Sequence, residues 1–130
     1  MKELTVKTSQ HTQFVDITSR VQEIVRGEGE EEGICHLYVP HTTAGLTINE
    51  NADPTVPQDI INTMNKVIPF DGDYRHLEGN AAAHIKASLM GSSLSILIKD
   101  KKLVLGTWQG IFFCEFDGPR SRKIYVKVQG

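Results

Sequence analysis

Residues 94–128 set the strongest constraint on the fold. They offer β-forming runs at 94–98, 103–105, 111–116 and 123–128, with a turn at Asp100-Lys101-Lys102 and glycines between the later runs. None of these runs has helical period, so the stretch reads as sheet. The amino terminus repeats the pattern. Glu3-Leu4-Thr5-Val6-Lys7-Thr8 alternates, Thr12 to Ile17 is β-rich, and Ser9-Gln10-His11 lies between them. Helical spacing enters only in the middle. Val21, Ile24 and Val25 share a helix face behind a Ser19-x-x-Gln22 capping box, with Gly27 placed to end that helix. A second helix starts at Asp53-Pro54, buries Ile60, Ile61, Met64, Val67 and Ile68, and stops at Pro69. A short third helix runs from an Asn80 cap through Leu89 to Gly91. The expected fold is α+β: mainly antiparallel sheets, sandwich-like, with two main helices and one short one.

Length and charge narrow the class. The 130 residues, 39% apolar and 23% charged, fit one domain spanning 1–130 with one core. A net charge of −2 lacks the broad basic surface of a nucleic-acid binder. No apolar stretch suggests a signal peptide or a membrane span, so a cytoplasmic location is expected. Cys35 and Cys114 sit in strand-like runs without Cys-x-x-Cys spacing and read as reduced, buried thiols. The acidic run from Glu28 to Gly33 reads as a solvated turn.

The chemistry concentrates around three histidines. Residues 34–39 form a strand that Pro40 stops, delivering His41 to a strand end, and strand character resumes at Leu46. His76 and His84 follow, seven residues apart, in Tyr-Arg-His-Leu-Glu-Gly-Asn-Ala-Ala-Ala-His-Ile. Neutral imidazole is a preferred ligand of zinc and its neighbours, so a divalent metal held by His41, His76 and His84 is the leading expectation. Thr42, Thr43 and Gly45 offer hydroxyls and backbone amides that suit phosphate oxygens if the loop curls into a nest. Arg75, Lys86, Arg120 and Arg122 are the candidate phosphate cations. Glu50 is open to two roles, a general base or imidazole-orienting carboxylate on one side and a solvated loop residue on the other. Asp53 reads as a cap, and Glu78 as either a partner of the ligands or exposed. His11 and His36 lie outside these segments.

Three of these segments carry a family resemblance. His-Thr-Thr-Ala-Gly-Leu-Thr-Ile-Asn-Glu-Asn-Ala-Asp-Pro, His-x-x-Gly-Asn-x-x-x-His-Ile and Leu-Gly-Thr-Trp-Gln-Gly-Ile-Phe-Phe-Cys-Glu-Phe-Asp-Gly-Pro-Arg resemble, in order, the YjbQ-like family of small proteins. The resemblance implies the YjbQ-like fold and a homotrimer with its pocket near subunit contacts. It also implies thiamine-phosphate synthase activity, in which a thiazole phosphate displaces pyrophosphate from a hydroxymethylpyrimidine. On it, His41, His76 and His84 fall on the family's histidine positions and take the metal, and Gln109 faces the site. Glu50 and Gln109 are the expected catalytic residues, and Thr42, Thr43, Gly45, Asn80 and Arg120 are expected to hold a small phosphorylated molecule. Pyrophosphate departure favours Mg²⁺ with oxygen ligands, whereas three histidines favour Zn²⁺. A metal-assisted hydrolase and a non-catalytic trimeric binding protein are the alternatives.

Overall fold

The computed structural model describes residues 1–130. Period-two burial builds a five-stranded antiparallel sheet from β1 (Lys2–Lys7), β3 (Glu32–Tyr38), β5 (Ser93–Lys99), β6 (Lys102–Leu103) and β8 (Ser121–Gln129). Its order is β1-β8-β3-β5-β6. Leu4 and Val6, Cys35 and Leu37, Ile96 and Ile98, and Ile124 and Val126 turn inward, while the alternating residues face out. The second sheet has three antiparallel strands, β2 (Gln13–Asp16), β7 (Gln109–Glu115) and β4 (Ala44–Glu50), with β7 in the middle.

The small sheet is covered on both faces, and this explains why β7 is apolar without alternation. One face adds Ala44, Leu46, Ile111 and Phe113 to the core of the large sheet, joined there by Val21 and Val25 of α1 (Thr18–Glu28). The other face presents Phe112 and Cys114, covered by Ala83 and Ala87 of α3 (Ala81–Met90) and by Met64 of α2 (Thr55–Val67). Both cysteines are free and buried, as expected. No helix is long and apolar enough to cross a membrane. The α+β sandwich follows the sequence reading, with three helices of comparable length rather than two long and one short.

Three local expectations change. The Ser19–Gln22 box does not form. Asp16 Oδ1 accepts from the Thr18 N–H at 2.9 Å and from its hydroxyl at 2.6 Å, so the helix starts earlier. Gln22 instead ties α1 to the β5–β6 turn, accepting from the Leu103 N–H and donating to the Lys101 carbonyl. The helix continues through Gly27 and ends at Gly29, which takes the left-handed conformation at φ 77°. In α2 no residue is fully buried and Val67 is 73% exposed, because the helix lies in the outer layer and meets the small sheet along one side only. Asp53 does serve the start of α2, accepting from the Thr55 N–H at 2.9 Å.

Candidate functional site

His41 sits in the link between β3 and β4, where Pro40 has no N–H for the sheet. Its Nε2 accepts a hydrogen bond from the Lys123 N–H on β8 at 2.9 Å. An imidazole nitrogen that accepts carries no proton, so in the neutral ring the proton is on Nδ1, which has no partner within the protein. Burial holds the His41 pKa below the ordinary histidine range, and the Arg122 guanidinium lowers it further. His41 is therefore a neutral hydrogen-bond donor at pH 7.

Behind it lies a buried ion pair. Arg122 of β8 is 3% exposed and Glu115 of β7 is fully buried. Arg122 Nε donates to Glu115 Oε1 at 2.9 Å, and Nη2 donates to Glu115 Oε2 and to the Thr43 hydroxyl, the latter at 2.9 Å. Glu115 also accepts from the Thr8 hydroxyl at 2.8 Å and from the Asp117 N–H at 3.1 Å. Burial pushes the Glu115 carboxyl up, and these hydrogen bonds outweigh it to hold the pKa below its ordinary value. A buried pair of this kind is sustained only when its remaining donors and acceptors are satisfied. Arg122 Nη1 has no partner in the protein, and Arg122 lines the pocket in front of His41.

That pocket, about 360 Å³, is bounded by residues 40–43, by Glu78, Asn80 and His84 around the start of α3, and by Asp117, Arg120 and Arg122; Pro40 is the one apolar side chain in its lining. Arg120 donates from Nε to the Asp117 carbonyl and from Nη2 to its carboxylate, both at 2.8 Å, and stays half exposed. Asn80 precedes α3 but does not cap it. Its Nδ2 donates to Asp117 Oδ2 at 3.0 Å, which turns Oδ1 into a buried site without a donor. A second cavity, about 500 Å³, shares His41, Thr42 and His84 with the first and is completed by Ala44, Ala87, Ser88, Gly91 and Ser92.

The three-histidine metal site does not close in this arrangement. His76 and His84 stand edge to face with ring centres 5.2 Å apart. Two imidazoles on one tetrahedral zinc place their centres about 5 Å apart, given a Zn–N bond of about 2 Å. His41 shares two cavities with His84, but its Nε2 lone pair is committed to Lys123 and its other nitrogen holds the proton. No three His, Cys, Asp or Glu side chains lie close enough to hold one ion.

Other expected site residues are placed elsewhere. Glu50 and Gln109 face each other at the far end of the β4–β7 ladder. Six strand steps separate Glu50 from Ala44, about 20 Å, so neither reaches His41 within one chain. Gln109 accepts from the Gly106 N–H at 2.8 Å and closes its own turn, and Trp108 beside it is 63% exposed. Gly45 is in β4, not in a nest. A Cβ there would meet the Gly91 carbonyl oxygen at 2.8 Å and Met90 Cβ at 3.0 Å, so glycine allows the strand to pack on the end of α3. Thr43 is buried and spends its hydroxyl on Arg122. Lys86 is fully buried, donating to Asn65 Oδ1 at 2.6 Å and lying 3.7 Å above the Phe70 ring, away from both cavities. Thr42, Asn80, Arg120 and Arg122 do gather with His41 and His84.

Glu115 and Asp117 escaped the sequence reading. A carboxylate inside Phe-Phe-Cys-Glu-Phe was the available signal, because a charge in a buried run requires a partner.

Comparison with known proteins agrees with this fold throughout. A UPF0047 protein of Methanocaldococcus jannaschii is 55% identical over 125 residues, covering 96% of this chain and 91% of that protein. YugU of Bacillus subtilis is 47% identical, covering 100% of this chain and 99% of its own. Among solved structures, a YjbQ/UPF0047 protein of Clostridium acetobutylicum superposes with a TM-score of 0.97 at 56% identity, covering 99% of this chain and 100% of that one. A YbjQ-like protein of unknown function from Sulfolobus solfataricus gives 0.95 at 35% identity, covering 99% and 95%. The model of the UPF0047 protein YjbQ-like family matches residues 2–130, and the chain belongs to that family.

Proposed function

We propose that the polar pocket in front of His41 binds the oxyanion end of a small phosphorylated molecule, and that the chain acts on it as a group-transfer enzyme of the thiamine-phosphate synthase type. One observation carries this reading: Arg122, held rigidly by Glu115 and Thr43, lines the pocket with Nη1 unpartnered, beside a neutral His41 whose remaining nitrogen bears a proton. Prepositioned donors of this kind stabilise charge that develops on a leaving phosphate oxygen without reorganising during the reaction. Arg120 and Thr42 add donors at the rim. In the synthase reaction the thiazole nitrogen attacks the pyrimidine methylene and pyrophosphate departs with the bonding pair, so the donors would serve the departing group. Titration calorimetry with pyrophosphate tests the binding. The wild type should bind and Arg120→Ala should bind about tenfold more weakly, the order of one charge-assisted hydrogen bond; absence of binding in the wild type would remove the oxyanion role, and equal affinity in both would remove Arg120 from it. Formation of thiamine phosphate from its two precursors tests the activity separately.

A metal-assisted hydrolase is the second reading, favoured by the spacing of His76 and His84. Zinc-dependent hydrolysis of a phosphomonoester, lost in His84→Ala, would select it. Homotrimer assembly belongs to the same proposal. The apolar side of α2, with Val67 open, and the exposed Leu89 supply apolar area that a partner would cover. A monomer mass in light scattering would reject it.

A further inference from the structure

The carboxylates around the anion pocket are not held alike. Glu115 is bound by Arg122 and Thr8, and Asp117 by Asn80 and Arg120, so each of these charges is matched within the protein. Glu78 lines the same pocket without a hydrogen bond. Its one ion-pair neighbour is the His76 ring at 3.9 Å, and its side chain is 77% exposed. The segment that carries it is loosely held. No hydrogen bond joins residues 75–79 to the rest of the chain, and Leu77, between His76 and Glu78, is 97% exposed. Both ends of this strap are fixed. Before it, Tyr74 donates to the Pro69 carbonyl at 2.5 Å and Phe70 packs under Lys86 Nζ; after it, Asn80 is bonded to Asp117. Gly79, at φ 81° with open space beside it, forms the pivot. A short segment with few contacts to the fold shifts at little cost in free energy.

Resting on the oxyanion reading, we propose that Glu78 gates the pocket: its carboxylate faces the cations that a phosphate needs, and the strap of residues 75–79 swings it out as the anion docks on Arg122 and His41. Two negative charges in one small pocket repel each other, so the site gives up affinity while Glu78 stands in its wall. Occupancy of the pocket is thereby coupled to the position of Leu77.

Calorimetry with inorganic phosphate on the whole protein tests the charge. Glu78→Gln keeps the shape and removes the charge, and should bind about threefold or more tightly than the wild type, a modest gain because the group is exposed. The gain should shrink as salt approaches about 1 M, where screening is nearly complete. Glu23→Gln on α1 removes the same charge from a residue that lines neither cavity and should leave affinity unchanged. A fluorophore on Leu77→Cys reads the motion, and labelling is selective because Cys35 and Cys114 are buried. Its emission should change with phosphate and saturate with the binding isotherm. Affinity in Glu78→Gln equal to or below that of the wild type would overturn the gate. So would an equal gain in Glu23→Gln, or a label that stays silent while phosphate binds; each leaves the oxyanion site standing. Binding seen only in Glu78→Gln would support the gate and the site together. Absence of binding in both the wild type and Glu78→Gln would strike the oxyanion reading, and the gate with it.

Discussion

The two ends of the small sheet carry similar residue types and do different things with them. At the His41 end, the buried Glu115–Arg122 pair, seven residues apart, is tied to Thr8 and Thr43 from far along the chain, and Arg122 Nη1 and His41 Nδ1 are left without a protein partner beside a pocket. At the other end, Glu50 and Gln109 pair across the ladder, Gln109 bonds to its own turn, and Asn51 donates to Asp16 at 3.0 Å. The first arrangement buries a charge pair and holds it with hydroxyls brought in from distant parts of the chain. The second leaves its polar groups exposed to water, which can satisfy them in place of the protein. The difference teaches that a polar residue in a motif-rich segment marks a site only when the fold fixes its orientation and leaves part of its hydrogen-bonding capacity unused.

Breaking the buried pair should have the largest effect. Glu115→Ala strands Arg122 without its counter-charge and should cost about 3–5 kcal/mol of stability, measured by urea denaturation. A loss below about 1 kcal/mol would mean that Arg122 finds water easily and is not held rigidly. The same pair gives a pH signature. Glu115 has a lowered pKa in the fold, so its contribution is complete above the unfolded value of roughly 4.3 and is lost as pH falls through the lower folded value. Glu115→Gln should flatten the acid limb of stability against pH below about 4. His41 adds a smaller slope of the same sign. Its lowered folded pKa means the unfolded chain takes up the proton first, so stability starts to fall as pH drops below roughly 6.5, and His41→Gln should remove that slope.

Metal titration sharpens the contrast further. Because Nε2 is committed to Lys123, His41→Ala should leave zinc affinity within about threefold of wild type, less than the tenfold or more that losing a ligand or its hydrogen-bonded partner costs. A larger loss would show that His41 turns from Lys123 to ligate. Glu50→Gln at the far end should do least, changing stability by no more than about 0.5 kcal/mol and leaving turnover unchanged. A rate loss of about 10²-fold or more, the size expected of a general base, would show that Glu50 reaches the site of a neighbouring copy.

The sheets and helices were legible because they rest on local signals. Alternation in β1 and β8, the break at Pro40 and the Asp53-Pro54 start each act within a few residues. Part of the site was legible for the same reason: Pro40 ends a strand, and His41 follows it. What could not be read was orientation. Nothing near His41 in sequence announces that Lys123, 82 residues on, supplies the N–H that fixes its tautomer. Thr43 likewise reads as a loop hydroxyl until Arg122 is folded against it. Glu50 misled in the opposite way, since closeness in sequence to His41 becomes a strand's length of separation once the intervening residues extend.

The central claim is that the His41 end of the small sheet, and not the Glu50 end, is the anion site. Amide and side-chain chemical-shift mapping by NMR during a phosphate titration tests both ends in one experiment. The account predicts saturable shifts at Thr42, the Arg122 guanidinium and the His41 Nδ1–H, with Glu50, Asn51 and Gln109 unmoved. Shifts centred on Glu50 and Gln109, or a His41 ring protonated on Nε2 in the neutral form, would contradict it.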